Sequence, residues 1–386
     1  MNSHFTLPAL SPLAAFAALA GSALAQPCSQ WSPRPEIPGP RYEHAAAFDE
    51  SRSRLVLFGG YSGETYYGDT WEWDGSSWFP RAASPSPEYR VFASMAYDSV
   101  RRVCVLFGGL FATGPLADTW EWNGTAWSQR ATPIRPSPRF AHALAFDSVR
   151  SRVVLFGGFG STDLDDTWAY DGTTWSLLDP GGGPDARQQH RMVYDAARDR
   201  IVLFGGQGAG GILADTWEFD GSAWSQRFPA TAPLGRAAHA MVYDPIRQRT
   251  ILFGGFGEGY LLDTWEFIPS LGPQGAWAWN NIPGPSQRAG HAIAFDPARA
   301  AVIMVGGWNG TAALAETWSL ACETACYANC DHSTESPILN IADFICFLNR
   351  FAAGDPWANC DRSATPPTLN VADFLCFLNK FAAGCT

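Results

Sequence analysis

The side chains in this sequence best suited to chemistry are an arginine and, three residues later, a histidine, a pair that recurs along the chain. Guanidinium and imidazole groups gathered around one centre could bind an anion or a metal ion. A residue found at the same place in every unit is explained more simply by what each unit needs, so we expect a structural role. Five pairs are complete and the sixth has Ala93 in place of the histidine: Arg41/His44, Arg90/Ala93, Arg139/His142, Arg187/His190, Arg236/His239 and Arg288/His291.

A second set of candidate residues lies in segments that differ from one unit to the next, directly after six Gly-Gly pairs. These segments combine aromatic rings with carboxylates and amides. Such a mixture suits a sugar, whose apolar face stacks on a ring, or a patch on another protein. The alternative is that they are ordinary exposed loop residues. The candidate ligand-binding residues are Tyr61, Glu64, Tyr66, Tyr67, Phe111, Phe159, Asp163, Asp165, Glu258, Tyr260, Trp308 and Asn309.

These residues are positioned by a repeated unit of about fifty residues. The Gly pairs begin at residues 59, 108, 157, 205, 254 and 306, so successive copies lie 48 to 52 residues apart. Each unit has three short runs rich in Val, Phe, Trp and Tyr, which predict strands. An Asp-Gly or Asn-Gly pair such as Asp74-Gly75 precedes a further Trp strand and predicts a two-residue type I′ hairpin, with positive φ at both residues.

This pattern resembles that of kelch repeats over roughly three quarters of the chain. The resemblance implies an all-β, six-bladed kelch-type propeller of four-stranded blades, whose sheets stack into a closed ring. Some secreted kelch-type proteins, such as galactose oxidase, are copper enzymes with a Tyr cross-linked to Cys and with His ligands. That chemistry is not expected here, because Cys104 lies inside a strand and every propeller His belongs to the repeat. No cofactor is expected in the propeller.

The sixth unit lacks its last Trp strand, and a stray copy of that strand surrounds Trp31 near the other end of the propeller. We therefore predict that the N-terminal strand completes the last blade and closes the ring. Pairing Trp318 with Trp31 would place Cys28 opposite Ala321, beside Cys322. A Cys28–Cys322 disulfide is predicted on that basis.

Composition and the N-terminus indicate a secreted protein. The net charge of −11 and the absence of a basic run argue against nucleic acid or an anionic membrane as the partner. Residues 1–25 contain an apolar stretch and end in Ala23-Leu24-Ala25, which predicts a signal peptide. No other run approaches the length of a membrane span. The propeller is assigned to residues 26–322, and we expect it in an oxidising extracellular compartment, either free or attached to a cell surface.

Residues 323–386 contain a second repeat, a polar loop followed by a predicted helix with a stripe of Ile341, Phe344, Phe347, Leu348 and Phe351. This duplicated unit resembles the Cys-containing dockerin-like domains of secreted bacterial proteins, which have an EF-hand-like layout. The resemblance implies a cohesin-like or other cell-surface protein as the partner and calcium as a possible ligand. The implied calcium positions are Asn329, Asp331, Ser333, Asn340, Asp343, Asn359, Asp361, Ser363, Asn370 and Asp373.

The tail departs from the family pattern, since each loop is longer, lacks its turn Gly and keeps two carboxylates. Disulfides could replace calcium in stabilising so small a domain. Equivalent positions suggest the pairs Cys330–Cys346 and Cys360–Cys376, and Cys326 and Cys385 could join the ends. The sequence leaves this connectivity open.

The sequence as a whole favours a non-catalytic binding protein, with a propeller face that contacts a glycan or a protein and a tail that anchors it. The alternative is an extracellular carbohydrate-active enzyme using carboxylates among Glu64, Asp163, Asp165 and Glu258. Such an enzyme needs two carboxyl groups about 5 to 10 Å apart across a pocket. A third class, a structural surface protein without a ligand, predicts a flat rim and a plugged channel.

Overall fold

The computed structural model describes residues 30–321 and, further along, residues 344, 345, 347, 348 and 351. Residues 30–321 form an all-β structure, as predicted. They contain six four-stranded antiparallel sheets, which we number in the order in which their first strands occur. Each sheet has an inner strand that follows an Arg-x-x-His segment, or Arg-x-x-Ala in sheet 2, and an outer strand that contains a Trp.

The strands of the six sheets have the following bounds. Sheet 1 contains Ala45–Asp49, Arg54–Phe58, Thr70–Trp73 and Trp78–Arg81. Sheet 2 contains Ser94–Asp98, Val103–Phe107, Thr119–Trp122 and Trp127–Arg130. Sheet 3 contains Ala143–Asp147, Arg152–Phe156, Thr167–Tyr170 and Trp175–Asp179. Sheet 4 contains Arg191–Asp195, Arg200–Phe204, Thr216–Phe219 and Trp224–Arg227.

Sheet 5 contains Ala240–Asp244, Arg249–Phe256, Tyr260–Ile268 and Ala276–Asn280. Sheet 6 contains Ala292–Asp296, Ala301–Val305, Thr317–Ala321 and, as its outer strand, Gln30–Arg34. Two smaller sheets lie in the loops. One pairs Leu110–Phe111 with Gly114–Pro115, and the other joins Arg187–Gln188, Gln207–Gly208 and Gly211–Ile212.

The second strand of every sheet is buried on both faces, because each sheet packs between two neighbours. Six apolar clusters fill the spaces between adjacent sheets, and each draws its residues from two sheets. The cluster around Leu57 and Val305 joins sheets 1 and 6, and the cluster around Phe253 and Met304 joins sheets 5 and 6. The other four join sheets 1–2, 2–3, 3–4 and 4–5, so the packing runs around a circle.

Backbone hydrogen bonds near the central axis connect the six sheets in the same circular order. The residue two positions before each inner strand donates its N–H to the carbonyl of its counterpart in the preceding sheet, at 2.7 to 3.0 Å. All six have positive φ, which turns the chain inward. The bonds run between Glu43, Phe92, Ala141, Gln189, Ala238 and Gly290, and the last of them returns from Glu43 to Gly290.

The N-terminal strand completes sheet 6, as predicted, but its register differs from the expected one. Trp31 faces Leu320, and Pro33 faces Trp318. Consequently Gln30 lies opposite Ala321, the place expected for Cys28. The predicted Cys28–Cys322 disulfide lies outside the described residues.

The register differs because the hairpin turn has four residues and not two. Trp73 pairs with Trp78, and Asp74 adopts no positive φ, whereas Gly75 does, at 98°. Asp74 Oδ1 instead accepts hydrogen bonds from the backbone N–H groups of Ser76 and Ser77, at 2.8 and 2.9 Å. An Asx turn therefore takes the place of the predicted type I′ turn.

The predicted signal peptide and most of the tail, including all predicted calcium positions and tail cysteine pairs, lie outside the described residues. The tail residues that are described, 344, 345, 347, 348 and 351, are helical. Phe347 is buried and its ring lies 5.9 Å from that of Phe351. Among the described residues, no helix is long and apolar enough to cross a membrane.

Candidate functional site

The loops that carry the candidate ligand-binding residues lie on one face of the sheets. In each unit the segment before the inner strand is tied to the loop after the Gly pair by a β-bridge or a short two-stranded pairing. The bridges are Tyr42–Tyr61, Val91–Leu110, Phe140–Phe159, Ala237–Phe256 and Ala289–Trp308, and Arg187–Gln188 pairs with Gln207–Gly208. This face, the loop face, carries the segments that differ most between units.

Six aromatic side chains form a continuous array on the loop face, across sheets 6, 1 and 2. Neighbouring ring centroids are separated by 4.4 to 5.8 Å, within the range of aromatic pairing. The order along this aromatic array is Trp308, Tyr42, Tyr61, Tyr66, Tyr89 and Phe111. Tyr66 is 52% exposed and Tyr89 is 37% exposed. Four of the six were predicted, whereas Tyr42 and Tyr89 were not.

The other predicted aromatic and amide residues make local contacts. Tyr67 lies against Arg41, whose guanidinium carbon is 4.0 Å from its ring centroid. The Phe159 ring pairs with that of Phe140, and the Tyr260 ring with that of Phe256. Asn309 Oδ1 accepts hydrogen bonds from Thr311 and Ala312 within its own loop, so it stabilises the turn.

The four predicted carboxylates are dispersed around the loop face. Asp163 accepts a hydrogen bond from Gln188 Nε2 at 3.1 Å, and partial burial raises its pKa. The Asp165 carboxylate lies beside Gly181. Glu64 and Glu258 are exposed. None of the four lines either of the two central cavities described next.

The axis of the ring holds two connected cavities. The outer one, the mouth, has a volume of about 490 Å³ and is lined in part by Tyr42, Gln207, Tyr260 and Trp308. The inner one, the throat, has a volume of about 170 Å³. Glu43, Phe92 and Gln189 line both, so the throat opens through the mouth onto the loop face.

Two charged side chains, Glu43 and Arg191, line the throat, and sequence analysis missed both. Burial raises the pKa of Glu43 to about 7, against the opposing effect of Arg191. Burial lowers the pKa of Arg191, and Glu43 opposes that shift in turn. The remaining lining is apolar or neutral, and includes Met95, Met192 and Met241.

Comparison with known families agrees with this architecture. The sequence profile of the KLHDC2/KLHL20/DRC7 Kelch-repeats domain matches residues 25–180 and again residues 122–267, which together make up more than half of the chain. The chain belongs to the kelch-repeat family. No curated protein matches this kelch sequence closely enough to be named as a relative.

The repeated arginines each stabilise their own unit of the kelch propeller, which agrees with the structural role expected from the sequence. Each guanidinium is almost fully buried and pairs with the acidic residue that precedes the Thr-Trp of its own unit. Arg139, for example, binds both carboxylate oxygens of Asp166 and also donates to the Gly157 carbonyl at 3.0 Å. Trp168 Nε1 donates to the same carboxylate at 2.7 Å. The six pairs are Arg41–Asp69, Arg90–Asp118, Arg139–Asp166, Arg187–Asp215, Arg236–Asp263 and Arg288–Glu316.

The histidines are also structural. Four of the five rings pack edge-on against a phenylalanine of the preceding sheet, as His142 does with Phe107 at 5.5 Å. Burial, and secondly the adjacent arginine, lowers the pKa of His44 and His142 to about 3. The pKa values of His190, His239 and His291 are lowered well below 6.5, mainly by burial. All five are therefore neutral at pH 7.

Within residues 30–321 and the described part of the tail, no three His, Cys, Asp or Glu side chains lie close enough to hold a metal ion. Cys104 is buried and free, as predicted from its place in a strand, and burial raises the pKa of its thiol. A thiol in that state is a poor nucleophile.

A sequence signal for Glu43 and Arg191 exists in the repeat itself. The inner strands begin with Ala45, Ser94, Ala143, Arg191, Ala240 and Ala292, so only one unit carries a large charged side chain there. Comparing the units position by position in the loops identified the candidate residues of the loop face. The same comparison within the strands would have identified Arg191.

Proposed function

We propose that this kelch protein is a closed, six-bladed, non-catalytic binding propeller whose loop face docks another protein. The aromatic array is the observation that carries this proposal. Six sheets, six intersheet clusters and the returning circle of backbone hydrogen bonds support the closed ring. Such a ring is a rigid platform, which lowers the entropic cost of presenting loops to a partner.

Aromatic side chains are suited to this task because each buries a large area with few rotatable bonds, and they dominate the energetics of many interfaces. Here they are contiguous across three sheets. Tyr66 and Tyr89, the two most exposed, lie side by side with ring centroids 5.8 Å apart. They would form the centre of the docking surface, and Glu64 would lie at its polar edge.

The packing within the array favours a protein over a glycan. Tyr61 and Tyr66 stack on each other at 4.4 Å with an interplanar angle of 26°. One face of each ring is therefore covered, whereas a sugar stacks on an open aromatic face. The edges and hydroxyl groups that remain suit the mixed apolar and polar surface of a protein.

The enzyme alternative receives no comparable support. Glu64, Asp163, Asp165 and Glu258 line neither the mouth nor the throat. A glycosidase requires its two carboxyl groups to flank one bond in one pocket.

We further propose that residues 1–25 direct secretion, and that residues 323–386 anchor the protein to a cohesin-like or other cell-surface partner. The duplicated loop-helix sequence supports the second proposal, with calcium or disulfides stabilising that domain. Calcium would bind the Asx and Ser oxygens of the two loops that surround Asp331 and Asp361.

A displayed random peptide library tests the docking surface. Peptides selected on the full-length protein should bind at least about tenfold more weakly to the double variant Tyr66→Ala/Tyr89→Ala, because two partly exposed anchors are removed. Phe228→Ala is the matched control, since Phe228 is 68% exposed and lies outside the array. A glycan array is probed in parallel with the same three proteins.

Peptides whose binding does not depend on Tyr66 and Tyr89 would contradict the proposal. Glycan binding that is lost in the double variant and kept in the control would replace the protein partner with a glycan.

A further inference from the structure

The throat of the channel differs from the rest of the propeller because two charged side chains break the pattern of the repeat. At the residue that opens the inner strand, Arg191 stands where the other five units have Ala or Ser. Two residues before the inner strand, Glu43 is the one ionisable side chain among Glu43, Phe92, Ala141, Gln189, Ala238 and Gly290. The scaffold needs neither charge, since the other units form the same strands and hydrogen bonds without it.

Glu43 and Arg191 belong to opposite sides of the ring. Glu43 precedes sheet 1 and Arg191 begins sheet 4, and these sheets are three steps apart in either direction around the six-membered circle. Both side chains line the same cavity of about 170 Å³. Their positions explain why each charge affects the pKa of the other while no hydrogen bond or ion pair within 4.0 Å joins them.

The local packing aims the Glu43 side chain along the wall of the throat. Its Oε1 lies 2.7 Å from where a Cβ on Gly290 would stand. Ala238 and Ala141 occupy the equivalent position with the same positive φ, so the backbone there accepts a side chain. Gly290 therefore leaves room for the carboxylate.

Neither charge has an ionic partner among the residues that the structure describes. Arg191 Nη1 donates to the His190 carbonyl at 3.2 Å, and the Glu43 carboxylate accepts no hydrogen bond from the described residues. The other ionisable groups that line the throat are His44, His142 and His291, which are neutral at pH 7. Both residues are partly buried, and their side chains line a cavity that opens onto the loop face. A ligand that carries both charges and lies between them can therefore replace water at both ends.

We propose that the throat binds a small zwitterion of the amino-acid type, with its carboxylate on Arg191 and its ammonium group on Glu43. Charge-assisted hydrogen bonds at both ends would satisfy both side chains at once. Gln189 and the mouth provide the route of entry from the loop face. No member of the aromatic array lines the throat, although Tyr42 and Trp308 line the mouth that leads to it. The zwitterion site does not depend on the proposed protein docking.

Isothermal titration calorimetry of the full-length protein at pH 8 tests the proposal with glycine, β-alanine, γ-aminobutyrate and ε-aminocaproate. The series varies the separation of the two charges, and we expect one member to bind best. Acetate and methylammonium each carry one of the two groups. Each should bind at least about tenfold more weakly than the best zwitterion, because each forms one charge-assisted contact where the zwitterion forms two.

Two variants remove the proposed contacts with substitutions taken from the protein's own repeats. Arg191→Ala introduces the residue found in sheets 1, 3, 5 and 6, and Glu43→Gln introduces the residue found at position 189. Each should lower affinity for the best zwitterion by about tenfold or more. Arg135→Ala, which removes a charge from an exposed loop residue, should leave it unchanged.

Circular dichroism melting curves establish that each variant is folded. The proposal is wrong if no zwitterion binds at concentrations up to about 10 mM, or if acetate binds as tightly as the zwitterions. It is also wrong if folded Arg191→Ala and Glu43→Gln proteins bind the best zwitterion like the unmodified protein. The Tyr66→Ala/Tyr89→Ala protein should bind the best zwitterion like the unmodified protein. A failure of the zwitterion proposal can therefore be distinguished from a failure of the proposed docking surface.

Discussion

Mild acid should destabilise this propeller sharply, because five neutral histidines are buried between its sheets. In the unfolded chain their pKa is near 6.5, and in the folded protein it lies far lower. The native state therefore binds fewer protons than the unfolded state between these values. The stabilisation is fully present above pH 6.5 and is lost as the pH falls from 6.5 towards 3.

The loss of unfolding free energy between pH 7 and pH 5.5 depends almost entirely on the pKa of histidine in the unfolded chain. Each histidine costs between about 1 and 1.5 kcal/mol of unfolding free energy over that interval, or about 6 kcal/mol for five. Glu43 acts in the opposite direction. Its folded pKa of about 7 lies above its ordinary value of 4.5, so acidification favours the native state. That gain is about 2 kcal/mol, which leaves a net loss of about 4 kcal/mol.

Such a loss is a large fraction of the roughly 5 to 15 kcal/mol that stabilises a typical domain. Urea denaturation of the full-length protein, followed by tryptophan fluorescence, measures it at pH 7, 6.25 and 5.5. The variant His239→Ala, for which sheet 2 provides a precedent in Ala93, should lose about 1.2 kcal/mol less over the same interval, which is nearly a third of the net pH dependence. Ala93→His, which adds a sixth histidine, should increase the dependence.

The reasoning is refuted if the unfolding free energy is the same at pH 7 and pH 5.5. It is also refuted if His239→Ala keeps the full pH dependence, because groups other than the buried histidines would then cause it. The lower stability of His239→Ala at pH 7 itself reflects lost packing and tests nothing about titration.

Two further predictions concern ring closure and the throat. Trp31→Ala should cost about 3 to 5 kcal/mol in the same urea experiment, because Trp31 is buried between sheets 5 and 6, while the exposed Trp279→Ala should cost less than about 1. Equal costs would show that the N-terminal strand does not seal the ring. Gly290→Ala should destabilise the protein by about 1 kcal/mol or more, through its positive φ of 65° and through the contact of the new Cβ with the Glu43 carboxylate, and Glu43→Ala should remove the part that is due to the contact. Strictly additive effects of the two substitutions would contradict the placement of Glu43.

Much of the fold was predictable because the same sequence pattern occurs in six units. A strand pattern seen six times is less ambiguous than one seen once, and the missing strand of the sixth unit pointed directly to Trp31. The structural role of the Arg-x-x-His residues was predictable for the same reason. Each arginine pairs within its own unit, as Arg41 does with Asp69, so the unit alone requires it.

The hairpin register was not predictable from the Asp-Gly pair. Asp74 can adopt positive φ or accept backbone hydrogen bonds, and the two choices give turns of different length. The strand pairing decides between them. Choosing the shorter turn displaced the predicted partner of Trp31 by two residues, from Leu320 to Trp318.

The sequence by itself determined the strands, the structural role of the repeated arginines and the residue that completes the last sheet, since these depend on contacts within one unit or between similar neighbours. Only the tertiary structure decided which unlike residues meet. Tyr42, Tyr66 and Tyr89 form one array because adjacent sheets bring their loops side by side. Glu43 and Arg191 share a cavity because the circular packing of the six sheets places sheets 1 and 4 opposite each other. The two residues are far apart in the sequence, so no local sequence pattern shows that they meet.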